Sequence, residues 1–369
     1  MASVKNRLRE ARARAGLSQE DSAEQAGISQ PAYSAIEAGR AVPSTEVALR
    51  LARALGTTVE ALFSLTDGPA MEAEVVEGAH ASTGQRVQVI EVGGKALARP
   101  VLGRVGALHT LARADGVVAK AEGYGRRATV RLFQGEARRA PAVVMVGCDP
   151  AVALLAAALA ERGTRLVWTE MASLEALSAL ARGEAHVAGC HMMDSATRQY
   201  NLPWVEQMVP FPCTVVSFAT WRQGFILPPG NPNRLSHVED LAKPGITIVN
   251  RQQGSGSRQL LDRLLKRHHV AEGAVKGYER VVPGHLAVAE VVAAGLAHAG
   301  VGAEVAARVN GLGFVPLDEE RYDLVVPDKY LNEPGVAMML DALQLAGLRG
   351  EVEALGGYDA SAMGTPVRG

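Results

Sequence analysis

Leu17-Ser18-Gln19-Glu20-Asp21-Ser22-Ala23-Glu24-Gln25-Ala26-Gly27-Ile28-Ser29-Gln30-Pro31-Ala32-Tyr33-Ser34-Ala35-Ile36-Glu37-Ala38-Gly39-Arg40 spells two short helices and the turn between them. Ser18 is placed to cap the first, with Asp21 at the capping-box position where Glu is usual. Gly27 sits where a left-handed residue closes that helix. Ser29 caps the second, and Pro31 falls in its first turn, where proline is tolerated. Gly39 ends it. Upstream, Val4, Leu8, Ala11, Ala15 and Leu17 form a helical apolar stripe. Downstream, Ser44 starts a fourth helix that buries Val47, Leu49, Leu51, Ala52 and Leu55 and closes at Gly56. Thr58 to Phe63 make a short fifth.

The whole chain has 369 residues, too many for one ordinary domain. Its 48% hydrophobic content is ample for packed cores, and 4% aromatic content means cores built from Ala, Val and Leu. A formal net charge of -1 gives no chain-wide basic field for nucleic acid, so DNA contact needs a local patch. Lys5, Arg7, Arg9, Arg12 and Arg14 supply one, opposed only by Glu10. Cys148, Cys190 and Cys213 are widely spaced with no CxxC pair, which argues against a disulfide framework or structural zinc and fits a reducing cytoplasm. The charged start has no apolar signal-peptide core. The longest apolar run, 151–160, is too short to span a bilayer.

The punctuation of the first segment resembles the Cro/phage-repressor (XRE) family of helix-turn-helix domains over residues 3–65. Leu-Ser-Gln at the second helix, Gly-Ile-Ser-Gln before the third and Ile-Glu-Ala-Gly-Arg at its end carry the likeness. The resemblance implies that the third helix enters the major groove. It places Ser29, Gln30, Tyr33 and Ser34 toward bases, and Gln19, Arg40 and the basic first helix toward phosphate. Gln can pair bidentately with adenine, and short hydroxyls read either base edge. For Tyr33, packing on the neighbouring helix stays open. Such modules bind double-stranded DNA as dimers, so a homodimer is expected.

Residues 69–84 form a polar, glycine-punctuated stretch without a strong period. Arg86 to Val92 then alternates as a strand, followed by a Gly93-Gly94 turn. Val117 to Ala121 and Ala128 to Phe133 read as further strands, with a short helix or turn over 106–116. The run 106–132 resembles the C-terminal β domain of molybdopterin molybdotransferases. Leu111-Ala112-Arg113-Ala114-Asp115-Gly116 and Ala128-Thr129-Val130-Arg131-Leu132 carry it, while Lys120-Ala121-Glu122-Gly123 lacks the family's proline. That family's large catalytic domain has no counterpart here. A generic β spacer or dimerisation domain is the other reading.

From Ala142 strands and helices alternate, which implies parallel βαβ units. Expected strands cover 142–146, 165–168, 185–188 and 246–249, with an extended crossover at 214–223. Helices are expected over 151–161, 173–182, 257–267, 286–294 and 334–346. Two similar lobes joined by crossovers describe a two-lobed α/β fold. Residues 141–365 resemble cytoplasmic periplasmic-binding-protein-like domains attached to helix-turn-helix modules. Asn250 to Arg258, Gly189-Cys190-His191-Met192-Met193-Asp194 and Gly356-Gly357-Tyr358-Asp359 carry that likeness. Relatives among transport proteins bind molybdate or tungstate, and related domains are fused to molybdopterin-synthesis proteins.

Independently of the likeness, Gly254-Ser255-Gly256-Ser257-Arg258 follows a strand and opens a helix, a place suited to an anion. Ser255 and Ser257 add hydroxyls, and Arg251 or Arg258 adds charge. The spacing is not a Walker loop. Cys148, Asp149 and Ser173 lie at strand-to-helix junctions, where open α/β sheets bind ligands. His191 reads as a cleft hydrogen-bond donor rather than a metal ligand, and His285 as a candidate for the second lobe's wall. The expected architecture is multidomain. An all-α helix-turn-helix domain spans 1–66, a linker and small β-rich domain 67–140, and a two-lobed periplasmic-binding-protein-like domain 141–369. The expected function is a one-component, non-enzymatic transcription regulator without cofactor, metal or membrane contact. It senses a small anionic ligand, molybdate, tungstate or a molybdenum cofactor species. A molybdenum cofactor assembly protein, or a regulator sensing an organic metabolite, is the alternative.

Overall fold

The computed structural model describes residues 4–65, 70–77, 79–101, 113–133, 141–194 and 197–367. The first unit holds α1 (Leu8–Ala15), α2 (Gln19–Ala26), α3 (Gln30–Glu37), α4 (Thr45–Ala54) and α5 (Val59–Leu62). Each turn follows from its punctuation. Ser18 and Asp21 form the reciprocal capping box, Ser29, Ser44 and Thr58 cap their helices, and Gly27 closes α2 at φ +64°. Leu8, Ala23, Ile36, Leu51 and Leu62 meet in one core.

Three expectations fail here. Val4–Asn6 is a strand, β1, paired antiparallel with β2 (Phe63–Leu65), so the first helix starts later than its stripe suggested. Asn6 accounts for the break: its Oδ1 accepts from Leu8 N and its Nδ2 donates to Ile36 O. Lys5 and Arg7 are therefore off the helix. Leu49 is 59% exposed, on the outer face of α4. Tyr33 is fully buried, because its position on α3 faces Leu8 and Leu51 rather than a groove.

Next, β3 (Ala70–Val75), β4 (Arg86–Val92), β5 (Lys95–Pro100), β6 (Gly116–Glu122) and β7 (Arg127–Leu132) close into a barrel in the order β3-β5-β4-β6-β7. Strand β3 lies inside the stretch read as lacking a period, and β5 went unread. Of the short helix or turn expected over 106–116, residues 106–112, Leu111 and Ala112 among them, lie outside the described residues. Val87, Ala98, Val118 and Val130 fill the barrel.

The barrel docks on the α/β region. Arg99, 5% exposed, donates to Thr169 Oγ1 (2.8 Å) and Glu184 O (2.7 Å). Arg165 pairs with Asp115 at 2.5 Å. Ile90, Val92 and Leu97 join the core of the first lobe.

The α/β region is built on one nine-stranded sheet. Its first lobe holds β8 (Ala142–Gly147), β9 (Arg165–Glu170) and β10 (Val187–Cys190), with α6 (Val152–Glu161), α7 (Ser173–Ala181) and α8 (Leu202–Met208). Two 15-residue strands, β11 (Cys213–Leu227) and β15 (Gly313–Pro327), run antiparallel through both lobes. The second lobe holds β12 (Ile248–Arg251), β13 (Val281–Val282) and β14 (Ala299–Ala303), with α9 (Gly256–Arg267), α10 (His285–Ala293) and α11 (Glu304–Val309). The order is β13-β12-β14-β11-β15-β10-β8-β9, with β16 (Tyr358–Asp359) paired to β11. The helix expected over 334–346 is two, α12 (Pro334–Ala342) and α13 (Ala346–Ala354). No described helix is long and apolar enough to cross a membrane.

Candidate functional site

The carboxyl ends of β8, β10 and β12 and the middle of β11 bring their side chains to one buried cluster between the lobes. Cys148 follows β8, His191 follows β10, Arg251 ends β12, and His285 opens α10 after Gly284. Cys148, His191 and His285 are fully buried, and the Cys148 sulfur and one nitrogen of each ring all lie within 4.8 Å of one another. Trp221 stands edge-on to both rings, with centroids 5.0 Å from each.

Hydrogen bonding on the far side of each ring fixes what faces the space. His285 Nδ1 accepts from Ala303 N at 3.1 Å, so its proton sits on Nε2, which has no partner. Burial, Arg251 and His191 together hold this imidazole well below the usual histidine pKa, so it stays neutral. His191 Nδ1 donates to Glu320 Oε2 at 2.7 Å. Burial works to lower the His191 pKa, but the Cys148 sulfur and the Glu320 carboxylate raise it to about 10. Gln223 Oε1 accepts from Ser257 Oγ at 2.9 Å, leaving Nε2 unpaired.

Arg251 is 1% exposed and both its Nη atoms lack a hydrogen-bond partner. Burial lowers its pKa, opposed by Cys148 and Glu170. The Cys148 sulfur thus stands near enough to influence Arg251 and His191, yet completes a hydrogen bond with neither. Trp221 Nε1 is buried and unpaired as well. Trp221, Gln223, Arg251 and His285 each carry a buried N–H donor without an acceptor, as do Arg99, Trp204 and Arg349 elsewhere among the described residues. An uncompensated buried donor costs about 1–3 kcal/mol, so such a group signals a missing acceptor.

The lobes are closed on each other. Leu174 N donates to Gly254 O at 3.2 Å, and Met193 N to Gln259 Oε1 at 3.2 Å. Gly256 lies against the ring and carbonyl of His191, and Gly284 against the Glu170 carboxylate. A side chain at either glycine would overlap its neighbour.

The sequence-chosen cleft residues divide. Cys148, His191 and Arg251 meet at the centre, and Gly256 packs beside them. Ser173 Oγ accepts from His191 N at 3.2 Å, and Ser257 bonds Gln223. Ser255 caps α9, accepting from Arg258 N and donating to Gln252 O. Arg258 turns away: it pairs with Asp262 at 2.9 Å and stacks 3.9 Å from the Tyr278 ring centroid. The reason is helical spacing, since Asp262 is one turn along the same face. Asp149 points back to its own loop, accepting from Ala151 N (2.9 Å) and Tyr358 OH (2.6 Å). Trp221, Gln223 and Glu320 were missed as donors or orienting groups. The signal available was Trp221 and Gln223 two apart on the strand crossing between lobes, hence on one face. In the helix-turn-helix unit, Ser29, Gln30 and Arg40 are exposed, Ser34 is half-buried, and Gln19 Nε2 bonds the Glu37 carboxylate, which Arg12 also holds.

Asp149 gives a pH prediction. Burial raises its pKa to about 6, against the lowering by Tyr358 and Ala151. A carboxyl whose folded pKa exceeds its unfolded value binds protons more tightly when folded. Its ionisation is therefore a penalty that is absent below the unfolded value of about 4, grows between the two values and is complete above about 6. The size is about 3 kcal/mol at most. Asp149→Asn should raise the ligand-free melting temperature at pH 8 and leave it nearly unchanged at about pH 3.5. Equal shifts at both pH values would show that Asp149 is not buried ionised.

A family model described as a PBP superfamily domain matches residues 156–344, and a helix-turn-helix domain model matches 6–63. YvgK, an uncharacterized protein of Bacillus subtilis (strain 168), is 33% identical over 196 residues, covering 53% of this chain and 63% of its own length. The chain thus spans less than two thirds of that relative. An uncharacterized HTH-type transcriptional regulator of the same organism, YgzD, is 39% identical over 64 residues, which is 17% of this chain and 97% of that protein. Among solved structures, the sulfate-binding protein SubI from Mycobacterium tuberculosis H37Rv aligns with a TM-score of 0.44 at 14% identity, over 59% of this chain and 86% of that one.

Proposed function

The chain belongs to the PBP superfamily, and from that membership and its helix-turn-helix domain we propose that it is a DNA-binding transcription regulator whose two-lobed domain senses a small anionic ligand in the cytoplasm. The observation that carries the reading is the set of buried, acceptorless N–H groups on Trp221, Gln223, Arg251 and His285, on the elements that bring Cys148, His191 and His285 together. A ligand rich in oxygen acceptors and bearing negative charge satisfies all of them at once. Ser29, Gln30 and Ser34 read bases, and Arg40 holds phosphate. Tyr33 supports α3 from inside the fold. Three units are assigned: 1–66 for DNA, 67–140 as the connecting β unit and 141–369 for the ligand. DNA is bound as a homodimer across two half-sites.

Closure of the lobes is the event a ligand stabilises, because the donors come from β11, β12 and α10 while Cys148 and His191 come from the first lobe. Molybdate and tungstate are the first ligands to test, on the resemblance of the two-lobed region and of residues 106–132 to molybdenum-handling proteins. An organic acid is the second reading, favoured by the Trp221 ring that walls the space.

The test combines two titrations of ligand-stripped protein. Calorimetry with molybdate, tungstate and sulfate should show one site per chain. Mobility shift with the chain's own upstream DNA should show salt-dependent binding that Gln30→Ala weakens by roughly 1–3 kcal/mol. Failure of all three oxyanions to bind would remove the oxyanion reading and leave the organic acid. Indifference of DNA binding to Gln30 and Arg40 would remove the assigned DNA face.

A further inference from the structure

The central space carries two features that contradict each other for any simple ligand. Cys148, His191 and His285 present a sulfur and two imidazoles within 4.8 Å, a donor set that suits a soft or borderline metal. Around the same point stand the Arg251 guanidinium and the His285 Nε2 proton, both of which repel a bare cation. His285 cannot turn its lone pair inward, because Nδ1 is held by Ala303 N. A simple metal ion is thus refused by two of its neighbours. Sulfate or phosphate suits the N–H groups but gives the Cys148 sulfur nothing to do.

One ligand class meets both demands: a metal centre that arrives wrapped in oxo groups. We propose that the cleft takes a transition-metal oxyanion of the molybdate or tungstate kind and that Cys148 Sγ bonds directly to its metal. This rests on the anion-sensor reading above and sharpens it from an oxyanion to an inner-sphere thiolate complex. Arg251, Gln223, Trp221 and His285 donate to the remaining oxo oxygens. His191, oriented by Glu320 as imidazoles beside metal sites commonly are by a carboxylate, stands beside the sulfur.

The step balances without an oxidant. The S–H bond breaks and an S–metal bond forms, while one metal–oxo bond breaks. The departing oxo oxygen leaves as water, carrying the thiol proton and one proton from solvent. The metal stays hexavalent, and the dianion becomes a bound monoanion. Sulfur in sulfate and phosphorus in phosphate do not exchange oxo groups for a thiol under such conditions. The thiol is then the element that separates metal oxyanions from main-group ones of similar size and charge.

The experiment is a near-ultraviolet difference spectrum of full-length protein titrated with molybdate, with sulfate as control. The expected result is a sulfur-to-metal charge-transfer band that saturates at one molybdate per chain and is absent with sulfate. Cys148→Ser should lose the band and at least about tenfold in molybdate affinity, while sulfate affinity is unchanged. Cys213→Ser, at the half-exposed start of β11, should keep both. If Cys148→Ser does not fold, molybdenum-edge X-ray absorption of the wild-type complex decides: sulfur beside the metal supports the proposal, and oxygen alone overturns it. Tight molybdate binding with no band, unchanged in Cys148→Ser, overturns the sulfur bond and leaves the anion sensor standing. Tight sulfate binding without molybdate does the same. Binding of no anion removes both.

Discussion

Arg251→Met should lose the anion by about 2–5 kcal/mol, a factor of at least roughly thirty, while the ligand-free protein melts no lower than the wild type. The opposite signs come from one fact. Arg251 is 1% exposed with both Nη atoms unpaired, so the ligand-free protein holds a cation whose lost solvation is replaced only by a 3.3 Å bond from Nε to Gln252 Oε1. Glu170 offsets this only at a distance, and its own carboxyl is itself pushed up by burial. Methionine fills similar volume without charge. Calorimetric titration and thermal unfolding measure the two halves separately. A variant that kept wild-type affinity would mean the guanidinium does not face the ligand. One that lost affinity and also unfolded early would mean that Arg251 is structural.

The second large effect is expected from a single methyl group. Gly256→Ala should open the cleft and weaken anion binding by about a hundredfold if it reduces the closed population to about one per cent. Gly256 is the first residue of α9, where alanine is the better helix former by about 1 kcal/mol, so the second lobe itself should gain. The added Cβ overlaps the ring and the backbone carbonyl of His191 in the opposing lobe. A carbonyl in a strand end cannot step aside as a long side chain would. Small-angle scattering should show a larger radius of gyration that anion no longer reduces. If scattering and affinity both match the wild type, the closed contact is not the state that binds.

What could be read beforehand followed how local the cause was. The helix-turn-helix punctuation was legible because Ser18, Ser29 and Ser44 each cap the helix they begin and Gly27 closes the one before it. Tyr33 shows the boundary of that logic: its place on α3 is local, but its burial depends on Leu8 and Leu51 from elsewhere in the chain. Strand β5, Lys95-Ala96-Leu97-Ala98-Arg99-Pro100, carries little strand preference and exists because β3 and β4 flank it. The return crossover β15 was hidden by its polar middle, Asp318-Glu319-Glu320-Arg321, which reads as a loop until β11 is known to lie beside it.

In the cleft, the loop Gly254–Ser257 was found from its glycines and serines, but the roles assigned were too uniform. Ser255 is spent on a cap and Arg258 on Asp262, both choices made within the helix. His191 and Ser257 were found as residues. Their partners Glu320 and Gln223 sit on the two crossovers, far away in sequence, so no spacing rule could join them.

The long pair β11 and β15 has a mechanical consequence. Most of the ladder that joins the lobes is continuous, with register shifts between Ser217 and Ala219 and between Gln223 and Gly224, on either side of Trp221. Opening the cleft therefore twists a bonded ribbon instead of swinging on slack chain. Such an element behaves as a torsion spring: displacement stores energy, the restoring force is set by the ladder, and the irregular rungs are where compliance concentrates. Trp221 sits between those rungs with its ring against both histidines. The residue that walls the ligand is thus also mounted on the softest part of the spring, so occupancy and stiffness are adjusted at the same place.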